Sequence, residues 1–171
     1  MKTAALIIAE KIFRDEEYQI PKDILGKAGI KVVTASTTTN EAVGKLGLKV
    51  KPDILVSQID VGKLDALIFI GGGGASQYFS DPLAHSLAIE AAKKGKIYGA
   101  ICIAPTILAN AGLLRGKKAT VFSSQDGIEA LKKGGAVYTG GDVEIDGKLI
   151  TGCGPEAAKK FGETLVKMLL P

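Results

Sequence analysis

A cysteine at the junction of an apolar run and a helical pattern is the strongest candidate for chemistry in this sequence. Residues 97–105 read IYGAICIAP, with Cys102 between the two patterns. A nucleophile on a tight strand-to-helix turn needs small residues two positions before and after it, and Ala100 and Ala104 meet that requirement. The unpaired N–H groups of a helix N-terminus would stabilise a Cys102 thiolate. The alternative is a small buried core residue, as most free cysteines are.

Four consecutive glycines, Gly71–Gly74, remove every side chain from what we expect to be a loop at the end of a strand. Such a loop allows another group to approach its backbone closely. A dinucleotide is one possibility, but the G-x-G-x-x-G pattern fails, because the sixth residue is Ser76 or Gln77 depending on the frame. The other possibility is that N–H groups of the loop face an oxyanion beside Cys102. A flexible turn is the structural alternative.

Groups that could transfer protons are scarce, since the chain has a single histidine, His85. His85 falls on a predicted helix away from its apolar stripe, which indicates a surface or interface position. Glu16 and Glu17 follow the first apolar run, so one carboxylate could lie near the cysteine and move a proton. Position alone favours the alternative, a solvated acid in the first helical turn that the helix dipole stabilises. Cys153 lies in a later strand-to-helix connection, where a packing role is expected.

Composition excludes several classes of protein. The chain has 171 residues, 46% hydrophobic and 23% charged, with 22 basic against 18 acidic residues and a net charge of +4. These values describe a folded globular chain, and no basic run exceeds two residues, so nucleic acid is not implied. Two cysteines and one histidine are too few for a disulfide framework or a Cys/His zinc site, and we expect no metal and no cofactor.

The N-terminal residues resemble the start of a signal peptide only superficially. The apolar run in Met1–Ala9 is short and stops at Glu10, so we interpret it as a buried first strand. No stretch is as long as the roughly 18 apolar residues that a membrane-spanning helix needs. We therefore expect a cytoplasmic protein that does not contact a membrane and whose cysteines stay reduced.

Short apolar runs alternate with helical patterns along the whole chain, which predicts a parallel sheet covered by helices on both faces. The predicted strands are Thr3–Ala9, Ile30–Ala35, Ala66–Ile70, Ile97–Ile101 and Ala119–Phe122. The predicted helices are Tyr18–Ala28, Asp81–Lys94, Ile103–Ala111, Ser124–Lys133 and Glu156–Leu170. Ligands of such sheets bind beyond the carboxyl ends of the strands, where Cys102 and the glycines fall.

Two segments depart from this alternation. Asp142–Thr151 contains Asp146-Gly147 between alternating residues, which predicts an antiparallel hairpin. Leu48–Ile59 is interpreted as an added hairpin or edge strand. The sequence thus predicts a single domain over residues 1–171 with a three-layer α/β fold, a mostly parallel sheet, a nucleophile elbow and an antiparallel edge hairpin.

The glycine loop, the AICIAPT segment around Cys102 and the closing Gly154-Pro155 together resemble the ThiJ/PfpI superfamily along nearly the whole chain. The resemblance implies a flavodoxin-like sandwich, usually dimeric or built from dimers. The family's acid stands four positions before a proline in the first helix, which here implies Glu17, four before Pro21. In relatives this carboxyl is held protonated against the cysteine sulfur.

The same resemblance implies further site residues. Backbone amides of Gly73 and Ile103 would form the oxyanion hole, with Gly72 beside them, while Gly154 and Pro155 would line the pocket.

The sequence also departs from the family at three positions. PfpI-type proteases carry histidine directly after the nucleophile, where this chain has Ile103. The deglycase branch has a histidine at the end of the next strand, where this chain has Phe122, which is expected to line the pocket. That branch also has an arginine before Gly-Pro, where this chain has Cys153.

These features imply a Cys102–Glu17 dyad in an apolar pocket. The leading expectation is a glyoxalase III-like or deglycase-like enzyme acting on a small reactive carbonyl or a glycated protein, with Cys102 as nucleophile and Glu17 as proton shuttle. One alternative is a redox sensor or chaperone acting through oxidation of Cys102. Another is an intracellular cysteine peptidase or amidase completed by oligomerisation. A homodimer or higher homo-oligomer is expected.

Overall fold

The computed structural model describes every residue from Met1 to Pro171. Its strands are β1 (Thr3–Ile7), β2 (Lys11–Phe13), β3 (Lys31–Ser36), β4 (Ala42–Gly44), β5 (Lys49–Val50), β6 (Ile54–Leu55), β7 (Ala66–Phe69), β8 (Ile97–Ile101), β9 (Lys118–Ala119), β10 (Val137–Tyr138), β11 (Val143–Asp146) and β12 (Leu149–Gly152). Its α-helices are α1 (Asp15–Lys27), α2 (Pro82–Lys93), α3 (Pro105–Asn110), α4 (Gln125–Lys133) and α5 (Ala158–Leu169).

A seven-stranded sheet forms the middle layer, in the order β11-β12-β8-β7-β1-β3-β6. All neighbouring strands run parallel except the β11–β12 pair. The apolar runs that predicted the central strands are buried because one hydrophobic cluster fills each face of the sheet. The mostly parallel, flavodoxin-like three-layer fold predicted from the alternation is confirmed.

The two segments that depart from the alternation of strands and helices both form strands at the edges of sheets. Asp142–Thr151 forms the antiparallel β11–β12 hairpin, and Gly147 adopts φ 62° in its turn, as the Asp-Gly pair predicted. Leu48–Ile59 contributes β5 to a small three-stranded sheet and β6 to the outer edge of the main sheet.

The predicted strand Ala119–Phe122 is wrong. Only Lys118 and Ala119 pair, and they pair with β10 in a separate two-stranded sheet. The next residue leaves the ladder because the Thr120 amide donates to Oγ1 of Thr151 at 3.0 Å, and the Thr120 hydroxyl donates to the Gly141 carbonyl at 2.6 Å. Side-chain bonds of this kind compete with a strand ladder, so Phe122 lies in a loop.

The N-terminal apolar run forms β1, whose residues from Ala4 to Ile7 are fully buried between β3 and β7. Among the helices, none combines the length and apolar character needed to cross a lipid bilayer.

Candidate active site

Strand register brings three chain segments together at the carboxyl edge of the sheet. Phe69 pairs with Ala100 and Gly152 pairs with Ile101. The glycine loop, Cys102 and Cys153 therefore leave neighbouring strands at the same level. The Cys102 amide extends the ladder by donating to the Gly152 carbonyl at 2.9 Å.

Cys102 occupies a strained elbow. Its φ of 64° is one of only two positive values among non-glycine residues, and such backbone strain is maintained only where surrounding structure enforces it. The preceding strand residues Ala100 and Ile101 are fully buried, while Cys102 itself is 8% exposed. The helix starts later than predicted, at Pro105 instead of Ile103, and α3 is only six residues long. Its dipole is therefore a weaker stabiliser of a thiolate than the sequence suggested.

Three glycines of the tetrad, Gly71, Gly72 and Gly74, are required by close contacts on two sides, whereas a Cβ atom on Gly73 would make only an ordinary contact with Ile12 at 3.6 Å. A Cβ atom on Gly71 would lie 2.5 Å from Oε1 of Glu17 and 2.6 Å from Cβ of Cys102. A Cβ atom on Gly72 or Gly74 would overlap the backbone of β2, with Lys11 the residue struck by Gly74. The loop thus lets an acid, a thiol and a second strand pack against one stretch of bare backbone.

Helix α1 begins at Asp15, three residues earlier than predicted, which places Glu17 in its first turn. Two contacts fix this turn: the Arg14 amide donates to the Gly71 carbonyl at 2.9 Å, and the buried Asp15 carboxylate accepts the amides of Leu46 and Leu48. The body of α1 packs on α5, as the predicted sandwich requires.

The Glu17 side chain is fully buried, and neither of its carboxyl oxygens has a hydrogen-bond partner. Burial raises the pKa of Glu17 from 4.5 to about 7, although the neighbouring Cys102 thiol and the positive charge of Arg14 act in the opposite direction. Glu16 differs, since its carboxylate is half-buried and pairs with Arg14 at 3.0 Å. Of the two acids considered from sequence, Glu17 is the one beside the cysteine.

Burial, followed by the negative charge of Glu17, raises the pKa of Cys102 to about 12. The backbone amides of Gly72 and Ile103 lower it but do not offset burial. The sequence predicts a reactive Cys102 thiolate from the helix N-terminus and a neighbouring acid. Burial and the acidic neighbour oppose that effect, so the two groups resist carrying negative charge at the same time.

Two backbone amides act on the Cys102 thiol. Those of Gly72 and Ile103 lower its pKa, which places both close to the sulfur. The oxyanion hole that the resemblance assigns to the amides of Gly73 and Ile103 stays a prediction.

The expected lining residues lie next to the elbow. The Phe122 amide donates to the Cys102 carbonyl at 2.8 Å, and its side chain is 43% exposed. A Cβ atom on Gly154 would be 3.4 Å from the Phe122 ring. Phe122, Gly154 and Pro155 share a pocket of about 320 Å³ with Val121 and Tyr138. Sequence reasoning missed the last two, because the short β9–β10 pairing that positions Tyr138 carries no clear pattern.

The remaining candidates lie apart from the dyad. His85 is half-buried on α2, where its Nε2 is 2.8 Å from the Phe79 carbonyl, and it lines a different cavity with Asn110 and Arg115. Cys153 is half-buried, with its sulfur 3.9 Å from Oδ1 of Asp142. No three His, Cys, Asp or Glu side chains are grouped as metal ligands would be.

Several known proteins are similar to this chain in sequence. The chain is 38% identical over 165 residues to an uncharacterized protein of Methanocaldococcus jannaschii, covering 96% of this chain and 80% of the relative. It is 30% identical to a deglycase of Pyrococcus horikoshii, covering 96% and 98%, and 26% identical to a glutathione-independent glyoxalase of Caenorhabditis elegans, covering 98% and 89%.

Among solved structures, a ThiJ/PfpI domain protein from Brachyspira murdochii superposes with a TM-score of 0.94 at 30% identity, covering 98% of this chain and 96% of that one. The sequence also matches the DJ-1/PfpI family over residues 2–168. With its elbow cysteine, its glycine loop and its buried first-helix acid on this fold, the chain belongs to the DJ-1/PfpI family.

Proposed function

We propose that the protein is a Cys102-dependent enzyme that converts small 2-oxoaldehydes into 2-hydroxy acids, as a glyoxalase III does, or removes such groups from glycated proteins, as a deglycase does. The names of the Caenorhabditis glyoxalase and the Pyrococcus deglycase support this class of reaction. The observation that carries the proposal is the Glu17 carboxyl, which is fully buried, has no hydrogen-bond partner and lies beside the nucleophile.

A carboxyl with a pKa of about 7 is populated in both protonation states near neutral pH. Such a group can accept and return a proton without help from a second residue, which is the requirement for moving a proton between adjacent carbons. In its protonated state, a carboxyl without another partner is also free to donate a hydrogen bond to a substrate carbonyl.

In the proposed reaction, the Glu17 carboxylate takes the thiol proton while the Cys102 sulfur bonds to the aldehyde carbon. The proton then passes to the former aldehyde oxygen, which gives a hemithioacetal. The amides of Gly72 and Ile103 stabilise negative charge at this position. Both amides lie beside the Cys102 sulfur.

Glu17 next removes the proton from the former aldehyde carbon and returns it to the neighbouring keto carbon, while the hydroxyl proton of the former aldehyde oxygen passes to the keto oxygen. The product of this shift is a 2-hydroxyacyl thioester on Cys102. Water cleaves the thioester, which releases the 2-hydroxy acid and restores the thiol. The sum is one oxoaldehyde plus one water giving one hydroxy acid, with no external oxidant or reductant.

Peptide cleavage fits this site less well. An amide leaving group needs a proton donor, usually histidine, and the single histidine, His85, is hydrogen-bonded to the Phe79 carbonyl on another face. We therefore expect little cleavage of casein or of a fluorogenic peptide.

The test measures methylglyoxal consumption and lactate formation by the wild type, Cys102→Ser and Glu17→Gln. We expect Cys102→Ser to abolish turnover and Glu17→Gln to lower kcat by about 10²–10⁴-fold, the usual contribution of acid–base catalysis. Glu16→Gln, at the adjacent acid that pairs with Arg14, is the matched control that should retain activity. Lactate formation that survives Cys102→Ser, or peptide cleavage that depends on both Cys102 and His85, would overturn the proposal.

A further inference from the structure

A pocket lies beside the elbow, and the steps proposed for Cys102 and Glu17 do not involve its lining residues. Its volume is about 320 Å³, at the lower end of the range for small-molecule sites. Val121, Phe122, Tyr138 and Pro155 supply apolar and aromatic surface, and Gly140 and Gly154 widen it by lacking side chains.

Two backbone hydrogen bonds join residues of the pocket to the elbow. The amide of Phe122, a lining residue, donates to the Cys102 carbonyl at 2.8 Å. Gly152, which directly precedes the lining residue Cys153, accepts the Cys102 amide at 2.9 Å. Cys102 and Glu17 do not line the pocket themselves, so the pocket adjoins the dyad through these neighbours.

Electrostatics restrict what the pocket accepts. No Lys, Arg or His lines it, and its one charged lining residue is the acid Glu156. A second acid, Asp142, lies behind Cys153, 3.9 Å from its sulfur. A carboxylate or phosphate entering the pocket would lose water and meet negative charge without a counter-ion, which is unfavourable.

We propose that this pocket is the subsite for the substituent of the aldehyde, and that it selects neutral, apolar substituents larger than methyl over anionic ones. Cys153 is the position that determines this selectivity, because it is the pocket residue at the level of Cys102 and it provides no positive charge. The inference rests on the proposed function for the identity of the reacting group.

The experiment compares kcat/KM for methylglyoxal, 2-oxohexanal and 4,5-dioxopentanoate, the last two being of similar length but neutral and anionic. For the wild type we expect 2-oxohexanal to exceed both others by about tenfold, since one or two buried methylene groups change kcat/KM by this order. Equal values for the neutral and anionic substrates would overturn the proposal.

Cys153→Arg adds a cation to the pocket and should shift the ratio of 4,5-dioxopentanoate to 2-oxohexanal by about tenfold or more toward the anion. Leu83→Arg adds the same charge to α2 at a position that is 40% exposed and outside the pocket lining, and it should leave the ratio unchanged. Equal shifts in both variants would show that net charge, and not the pocket, sets the preference.

A binding measurement separates this inference from the proposed function. In ¹⁵N-labelled Cys102→Ser protein, 2-oxohexanal should shift the amide signals of Phe122, Tyr138 and Gly154 at lower concentration than 4,5-dioxopentanoate does. If these shifts occur but the wild type turns over no aldehyde, the subsite is supported and the proposed reaction fails. If turnover occurs with no shifts in these signals and no preference, the reaction stands and the subsite is refuted.

Discussion

Replacing Glu17 by glutamine should change how the stability of the protein depends on pH. The carboxyl has an ordinary pKa of 4.5 and a pKa of about 7 in the folded protein, raised chiefly by burial. Between these values the folded state binds more protons than the unfolded chain, so stability falls as pH rises through this window. At about 1.36 kcal/mol per pH unit, the full loss is about 3 kcal/mol, and about 2–3 kcal/mol of it falls between about pH 5 and about pH 8.

Urea unfolding followed by circular dichroism measures this effect directly. Glu17→Gln keeps the size of the side chain but removes the charge, so its free energy of unfolding should lack this loss. With a urea dependence of about 2 kcal/mol per M, the wild-type midpoint should fall by about 1 M more than that of the variant between about pH 5 and about pH 8. Every other titrating group is common to both proteins and cancels in the comparison.

Glu16→Gln is the matched control, because Glu16 is adjacent in sequence but half-buried and paired with Arg14. It should follow the wild-type pH dependence. Cys102→Ser should also retain most of the loss, since Glu17 stays buried without its sulfur neighbour. Parallel curves for the wild type and Glu17→Gln would refute the reasoning, because they would show that the carboxyl is solvated or paired in solution.

Other predictions concern the thiol and the bare backbone of the loop. In a Cys153→Ser background, the thiolate absorbance of Cys102 should appear at lower pH in Glu17→Gln than with Glu17 present, because the acid's charge raises the thiol pKa; an unchanged midpoint would contradict this. Gly71→Ala should destabilise the fold by about 1–3 kcal/mol, since its Cβ would lie 2.5 Å from Glu17. Gly26→Ala, in α1 with open space around it, should instead stabilise by about 0.5–1 kcal/mol in the same unfolding assay.

The features predicted correctly from sequence depend on local chemistry. Uniformly apolar runs become buried parallel strands because helices cover both faces of the sheet. The Asp146-Gly147 pair forms its hairpin because glycine adopts φ 62° there at little cost. The elbow follows from small residues on both sides of Cys102. None of these inferences requires knowledge of distant contacts.

The errors arise where distant groups determine the local structure. Thr120 leaves its predicted strand because Thr151 and Gly141, far along the chain, capture its hydrogen bonds. Strand β2, at Lys11–Phe13, is short and largely exposed, and it was missed because it is held by the glycine loop and not by its own pattern.

The charge of the dyad explains how a thiol with a high pKa can still act as a nucleophile. Charging both groups together is unfavourable, so near neutral pH the pair carries at most one negative charge. Because the pKa of Glu17 is about 7 and that of Cys102 is about 12, this charge resides on Glu17, and the thiol keeps its proton in the resting protein. The Glu17 carboxylate is then the base that takes the thiol proton as the sulfur attacks, and the amides of Gly72 and Ile103 favour the charge that develops on the sulfur. Moving that one proton back and forth over a short distance activates the nucleophile and prepares the acid for the next step.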